Sequence, residues 1–130
     1  MKKIFVLLFS LLISYSVYSE WIEVVTNDVG DIFYIDEKSI RKHNEYNYYW
    51  ILANFLEPIK SGSASYFSSI VYYEGDCGIF RHKVLDSEFY EKPMGTGKSV
   101  NGGNTEEWTY SQPGSSSGII LNYACKYTEK

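Results

Sequence analysis

The segment Gly97-Lys98-Ser99 has residue types that could hold a phosphate. In a phosphate-binding loop, the backbone amides of a glycine-rich turn wrap the phosphate and a lysine contacts it. That motif requires another glycine five residues before Gly97, and this position is occupied by Lys92. We therefore interpret the segment as a surface turn and expect no nucleotide or other cofactor.

Two histidines, His43 and His82, are the candidate metal ligands. A catalytic zinc site usually takes three protein ligands, and neither histidine has a neighbouring ligand at a useful spacing. A site would form only if distant parts of the chain converged, so we expect no bound metal.

Acid–base and nucleophilic catalysis are also weakly indicated. We expect neither a Gly-x-Ser-x-Gly nucleophile elbow nor a Ser-His-Asp arrangement among the many serines. Neighbouring carboxylates can act as general acid and base, but in turns they are more often solvated surface groups. The sequence thus identifies no catalytic residue and favours a protein that is not an enzyme. The acidic pairs considered are Asp28/Asp31, Asp36/Glu37 and Glu106/Glu107.

The N-terminus has the pattern of an export signal. Lys2 and Lys3 precede an apolar run over residues 4–13, and cleavage after Ser19 fits the residues there. Residues 1–19 are therefore predicted to be a signal peptide and residues 20–130 the mature domain, in the periplasm, on the cell surface or secreted. The run is shorter than the roughly 20 residues of a membrane span, so an uncleaved anchor is the less favoured alternative. No cysteine lies near the cleavage site, so we expect no lipoprotein modification.

The length and charge of the mature chain limit its partners. About 111 residues are enough for one domain. Without Lys2 and Lys3, the chain has 10 basic and 16 acidic residues, a net charge of about −6. This balance disfavours binding to nucleic acid or to an anionic membrane through bulk electrostatics, so we expect no nucleic-acid partner.

The two cysteines, Cys77 and Cys125, favour an intramolecular disulfide. An exported protein meets an oxidising compartment, and an even cysteine count without a Cys-x-x-Cys motif is typical of a structural bridge. Closing a loop of about 49 residues would stabilise the fold by about 4 kcal/mol in the chain-entropy model. Two free thiols and an intermolecular bridge are the alternatives.

The composition, with thirteen Tyr, seven Phe and three Trp, is typical of a strand-rich domain. Residues 46–56 form the longest apolar run of the mature chain, with apolar side chains on both faces, which indicates a central strand. The strands predicted are 21–26, 31–35, 46–56, 65–73, 79–85 with an extension over 87–90, and 106–110. The connections predicted are a turn at 27–30, a short helical turn at 36–40 with Asp36 as N-cap, a loop at 41–45, a turn at 58–63, a tight connection at 75–78 and glycine-rich loops at 94–104.

Residues 115–126 are the best helix candidate. Ser115, Ser116 or Ser117 can cap the start, and Ile120, Tyr123 and Ala124 lie at helical spacing. A helix that carries Cys125 on its apolar side would lie on the sheet and be tied to it through Cys77. The predicted fold class is therefore α+β, a single antiparallel β-sheet with a C-terminal helix packed on it and one disulfide between them.

The excess of tyrosine has two interpretations. Strand-rich domains favour tyrosine for packing, and this alone could explain it. Tyrosine also combines an apolar ring with a polar tip, which suits surfaces that recognise proteins or glycans.

The mature chain contains widely spaced motifs in an informative order. They are Trp21, Tyr34-Ile35-Asp36 followed by Ser39-Ile40, Trp50, Asp76-Cys77, Phe89-Tyr90-x-x-Pro93-Met94-Gly95, Trp108, Pro113-Gly114-Ser115 and Cys125. In this order they resemble the bacterial surface-adhesin protein E family over essentially the whole mature chain. The resemblance implies an antiparallel sheet, a C-terminal helix and a disulfide that ties the two.

The resemblance also implies a function. The family's namesake is an exported adhesin that binds host extracellular-matrix and serum proteins such as vitronectin and laminin, so partners of this class are expected. The resemblance gives no residue-by-residue match to the namesake's host-binding segments, so it implies no particular binding residues.

Two alternatives stay open. One is a periplasmic structural or envelope-assembly protein, which could form a homodimer through an exposed strand edge. The other is a small-ligand carrier with a cavity between helix and sheet, lined by several of Tyr48, Trp50, Phe80 and Tyr123.

Overall fold

The computed structural model describes residues 20–129; the predicted signal peptide, residues 1–19, lies outside this part of the chain. In chain order the elements are β1 (Trp21–Thr26), β2 (Ile32–Asp36), a 3₁₀ turn (Glu37–Ser39), β3 (Arg41–His43), β4 (Tyr46–Ser61), β5 (Ala64–Asp76), β6 (Arg81–Lys92), β7 (Thr96–Asn101), β8 (Thr109–Tyr110) and α1 (Ser116–Thr128). Within residues 20–129, no helix is both long and apolar enough to cross a membrane.

All the strands pair antiparallel in one eight-stranded sheet. Its main order is β1-β2-β4-β5-β6-β7, with β3 added beside β4 and β8 beside β6. Because α1 is the single helix of the described chain and follows the last strand, the predicted fold class is confirmed.

One face of β4 and β5 forms the core under α1. Tyr49 pairs with Tyr73 and Ile51 with Val71, and side chains alternate between the faces of a strand. Tyr49 and Ile51 therefore point to the same side, where they join the buried cluster that includes Ile35, Ile120, Leu121 and Ala124.

On the other face of β4 and β5, the turn between β6 and β7 covers one end of the sheet. The side chain of Leu52 is fully buried there. Gly95 in this turn adopts a φ of +66°, and a Cβ at this position would lie 2.7 Å from Cδ1 of Ile70. The turn can thus press onto Leu52 and Ile70 because Gly95 has no side chain. This explains why residues 46–56 are apolar on both faces.

The helix begins and ends with specific hydrogen bonds. Ser115 is the N-cap, and its Oγ accepts a hydrogen bond from the amide of Gly118 at 3.2 Å, which satisfies one of the free first-turn donors. Near the other end, the buried Asn47 donates to the carbonyl of Ala124 at 3.2 Å and to Oγ1 of Thr128 at 2.8 Å. The helix is therefore fixed to β4 by polar contacts as well as by its apolar side.

The Cys77–Cys125 disulfide is formed, as predicted. Cys77 lies in the turn between β5 and β6, and Cys125 lies in the C-terminal half of α1. The bridge joins parts of the chain 48 residues apart and ties the helix to the sheet.

Two polar segments predicted as loop or turn are strands. Residues 41–45 contain β3, which pairs with β4 at Tyr46, Asn47 and Tyr48. The ladder between β2 and β4 covers only residues 51–54 of β4, so β3 supplies partners for backbone groups that would otherwise be unpaired. The turn predicted at 58–63 shortens to Gly62 and Ser63, because β4 runs on to Ser61 past an irregularity in the ladder that accommodates Pro58.

The glycine-rich residues 94–104 were also predicted as loops, and they contain β7. Every residue of β7 is exposed. This strand lies at the edge of the sheet, where a strand can pair on one side without burying its side chains. The last predicted strand, 106–110, shortens to Thr109–Tyr110. Asp36 does occupy the N-cap position of the 3₁₀ turn, but its side chain makes no capping hydrogen bond.

Removing the disulfide tests its share of the stability. In the double variant Cys77→Ser/Cys125→Ser, we expect the free energy of unfolding to fall by about 4 kcal/mol, since the unfolded chain gains the loop entropy. Urea denaturation of the two proteins measures this. Dithiothreitol should lower the stability of the wild type by a similar amount and leave the double variant unchanged. A variant as stable as the wild type would show that other contacts alone hold α1.

A methyl group at Gly75 tests how closely the helix approaches the sheet. A Cβ at this position would lie 2.6 Å from Cδ1 of Leu121 and 2.9 Å from Cε1 of Tyr49. We expect Gly75→Ala to lower the free energy of unfolding by about 1–3 kcal/mol, because overpacking forces side chains from their rotamers. Gly78→Ala is the matched control, since its Cβ would meet nothing closer than 3.5 Å; equal urea midpoints for the two variants would contradict the prediction.

Candidate binding surface

A cluster of aromatic rings lies on the face of the sheet opposite α1. Tyr48 and Trp50 alternate with the core residues of β4, and Trp50 pairs with Tyr72 of β5. The rings of Trp50 and Tyr72 stack with their centroids 4.4 Å apart, and that of Tyr48 lies 6.2 Å from that of Tyr72. All three side chains are partly exposed. They form a ladder of rings across two central strands.

Trp108 extends this cluster towards β6. Its ring lies 5.2 Å from that of Tyr46. The guanidinium carbon of Arg81 is 4.3 Å from the centre of the Trp108 ring, and Nζ of Lys83 is 4.6 Å from it. Both distances are those of cation–π contacts. Trp108 lies just before β8, and its ring contacts the cations of Arg81 and Lys83 in β6 and the ring of Tyr46.

The charges near these rings are paired within the protein. Nε of Arg81 lies 3.0 Å from Oδ2 of Asp76, and Nζ of Lys83 lies 3.7 Å from Oε1 of Glu74. Tyr48 donates a hydrogen bond to Oε2 of Glu74 at 2.6 Å. That bond, followed by burial and the negative charge of Glu74, raises the pKa of Tyr48 to about 12. Tyr48 is therefore a neutral donor at physiological pH.

Asp76 is held as a carboxylate at the margin of this cluster. Burial alone would raise its pKa, but hydrogen bonds from the Ile79 amide, the Arg81 side chain and the Gly78 amide outweigh burial and lower it. The ion pair with Arg81 is thus maintained at neutral pH.

We call this surface the aromatic face. It consists of Tyr46, Tyr48, Trp50, Tyr72 and Trp108 with the charged residues Glu74, Asp76, Arg81 and Lys83. Its two cations and two carboxylates balance, so these four groups add no net charge. Such a surface can stack against apolar or planar groups and offers few strong charges to an approaching partner.

The two histidines considered as metal ligands do not come together. His43 is exposed at the end of β3, whereas His82 lies in β6 on the α1 side, with Nδ1 2.6 Å from Oγ of Ser111. In the part of the chain that the structure describes, no cluster of three or more His, Cys, Asp or Glu side chains is placed to hold a metal ion.

Two members of the acidic pairs have structural partners. Asp31 accepts a hydrogen bond from the side chain of Asn27 within the β1–β2 turn and another from the amide of Leu56 in β4. Glu37 accepts a hydrogen bond from Tyr123 of α1. Gly97-Lys98-Ser99 lies in the exposed strand β7 and not in a turn before a helix.

The expectation that the chain has no Gly-x-Ser-x-Gly motif was wrong, because residues 114–118 have this spacing, centred on Ser116. The structure gives this spacing a role in starting α1. Gly114 adopts a φ of +90°, Ser115 caps the helix, and a Cβ on Gly118 would lie 2.1 Å from the carbonyl oxygen of Gln112. Among residues 20–129, Ser116 makes no hydrogen bond with His82.

The cavity expected for a ligand carrier is not formed by the residues proposed for it. Tyr48 and Trp50 lie on the aromatic face, while Phe80 and Tyr123 line two separate grooves beside α1. The alternation of side chains along β4 was predicted correctly. The expectation that Tyr48 and Trp50 face α1 was wrong, because Tyr49 and Ile51 lie on the covered face. No local sequence pattern links Trp108 to Arg81 and Lys83, so sequence reasoning does not place it on this surface.

Comparisons with known proteins agree with this architecture. Three solved structures of Haemophilus influenzae protein E are similar to it at 18–19% identity. Crystal form II gives a TM-score of 0.69 and covers 88% of this chain and 93% of that chain. A second structure gives 0.64, covering 88% and 90%, and one from a non-typeable strain gives 0.60, covering 88% and 82%. At this identity the likeness shows the fold.

No curated protein sequence matches the chain significantly. The profile of the surface-adhesin protein E family, however, matches residues 21–126. This match spans β1 to the last turn of α1, so it includes both the disulfide and the aromatic face. The chain therefore belongs to the surface-adhesin protein E family.

Proposed function

We propose that this chain is an exported binding module that recognises host or envelope proteins through the aromatic face. The observation that carries the proposal is the face itself: five partly exposed tyrosine and tryptophan rings lie on the side of the sheet away from α1, in a member of an adhesin family. Binding rather than catalysis is the role that this combination supports.

The composition of the aromatic face supports protein recognition. Tyr, Trp and Arg are enriched at protein interfaces and supply most of the residues whose loss strongly weakens binding. Lys and Glu are depleted there, and the two on this face are paired with each other at 3.7 Å. Their mutual pairing reduces the charge that a partner would have to desolvate.

The contacts among the rings also reduce the entropic cost of binding. Trp50 is stacked on Tyr72, and Trp108 lies between Tyr46 and two cations. Side chains that are already ordered lose little rotamer freedom when a partner docks. A partner with exposed apolar or planar side chains would thus meet a surface that is ready to bind.

Loss of single rings tests this assignment. We expect Trp50→Ala and Trp108→Ala each to weaken binding to immobilised vitronectin or laminin about tenfold or more, as for central interface residues. Surface plasmon resonance of the mature domain measures the affinity, and circular dichroism checks that the variants fold. Val29→Ala, which alters a side chain that is 66% exposed in the β1–β2 turn, should bind like the wild type. Saturable binding that neither variant weakens would move the site away from the aromatic face, and absence of saturable wild-type binding would contradict an adhesive role for these partners.

Export is a separate part of the proposal. We expect the mature protein to begin at Glu20, because the signal pattern ends at Ser19. Intact mass spectrometry of protein recovered from cell fractions measures the N-terminus, with cytoplasmic and periplasmic marker proteins as controls. Protease treatment of intact cells then separates surface from periplasmic protein. A chain that retains Met1 in the cytoplasmic fraction would contradict the expectation.

A further inference from the structure

A cavity of about 150 Å³ lies between the first turns of α1 and the sheet. Phe33, Tyr49 and Tyr73 line it from the strands, Ser116, Ser117 and Ile120 from the helix, and His82 from β6. This is the side of the sheet opposite the aromatic face, so the cavity is a second, separate feature of the molecule.

The walls of the cavity are aromatic and uncharged. The rings of Tyr49 and Tyr73 stack with centroids 5.5 Å apart, and His82 meets Tyr73 edge-on, also at 5.5 Å. Burial raises the pKa of Tyr49 and of Tyr73 and lowers the pKa of His82. All three groups are thus neutral at pH 7, and a charged ligand would find no partner of opposite charge among them.

The side chain of His82 offers a ring nitrogen that can bind a ligand. Nδ1 of His82 is engaged with Oγ of Ser111 at 2.6 Å, whereas Nε2 makes no hydrogen bond with any residue of 20–129. If Nδ1 carries the proton, Nε2 accepts a hydrogen bond; if Nδ1 accepts from Ser111, Nε2 donates one. A hydroxyl group can serve in either role, whereas a group that only donates or only accepts fits one tautomer.

The volume limits the size of the ligand. An apolar cavity of about 150 Å³ engineered in another protein stays dry and binds benzene. We propose that the cavity under α1 binds a neutral, single-ring aromatic alcohol, with its ring against Tyr73 and Ile120 and its hydroxyl on Nε2 of His82. Because this site faces away from the aromatic face, it does not depend on the protein-binding function proposed above.

Phenol is the probe for this site. In an NMR titration of isotope-labelled mature protein, we expect saturable shifts at Tyr73, His82 and Ile120 with a dissociation constant of about 1 mM. Toluene has a similar size and no hydroxyl, and it should bind about three- to tenfold more weakly, the loss expected for one hydrogen bond. In His82→Phe, which keeps a ring but removes Nε2, the preference for phenol over toluene should disappear.

A cavity-filling variant gives an independent test. Ser117→Leu places three additional carbon atoms at the edge of the cavity and should weaken phenol binding about tenfold or more by excluding the ring. Ser63→Leu, an equal change in the exposed β4–β5 turn, should bind phenol like the wild type. Circular dichroism checks the fold of each variant. The wild-type titration tests the proposal even if a variant does not fold. Shifts confined to Trp50 and Trp108, or no saturable shift up to about 20 mM phenol, would overturn the proposal whatever the outcome with vitronectin or laminin.

Discussion

The backbone at Gly75 approaches Leu121 and Tyr49 so closely that even a methyl group would overlap them, and the seating of α1 on the sheet depends on this approach. A helix and a sheet pack well only when the side chains between them fill the space without strain. Because Gly75 has no side chain, Leu121 of α1 and the ring of Tyr49 can both lie against the backbone at this position. The buried side of α1 then completes a core that the sheet alone could not enclose.

Two further contacts fix the position of the helix once it is seated. The disulfide joins Cys125 to the turn after β5, and Asn47 binds the last turn of α1 from β4. The side-chain oxygen Oδ1 of Asn47 is buried without a hydrogen-bond partner among the described residues, which lowers the stability of the fold. Its amide group offsets part of that cost by donating to Ala124 and Thr128. The helix therefore has little freedom to slide along the sheet.

The helix α1 covers one face of the sheet, and the aromatic face lies on the other side. Among residues 20–129, the open face has no second layer away from the turn at Gly95, and its aromatic side chains contact one another and the charged groups of Arg81 and Lys83. These contacts stabilise the sheet and hold the rings in fixed positions. The same interactions thus serve the fold and fix the geometry of the exposed rings.

The sequence allowed prediction of those parts of the fold with strong local or covalent signals. Strands with alternating or long apolar patterns, the serine-capped helix and the cysteine pair were all predicted. Edge strands β3 and β7 were missed because they are exposed and polar, and pairing with a neighbouring strand is what makes them extended. Trp108 was not placed in the candidate site because its contacts are with residues more than twenty positions away. Such contacts depend on the topology of the sheet and produce no recognisable pattern within a short segment of sequence.

Adjacent tyrosines show how closely the two faces are linked. Tyr48 and Tyr49 point to opposite sides of β4, and Tyr72 and Tyr73 point to opposite sides of β5. On one side Tyr48 donates to Glu74; on the other, Tyr49 and Tyr73 stack beneath the helix. A slip of one residue in the register would exchange these roles and place Glu74 in the core. The burial of that carboxylate under α1 would be costly, so the register that builds the core is also the one that presents the aromatic face. Each of these two pairs of tyrosines therefore contributes one ring to packing under the helix and one to the aromatic face.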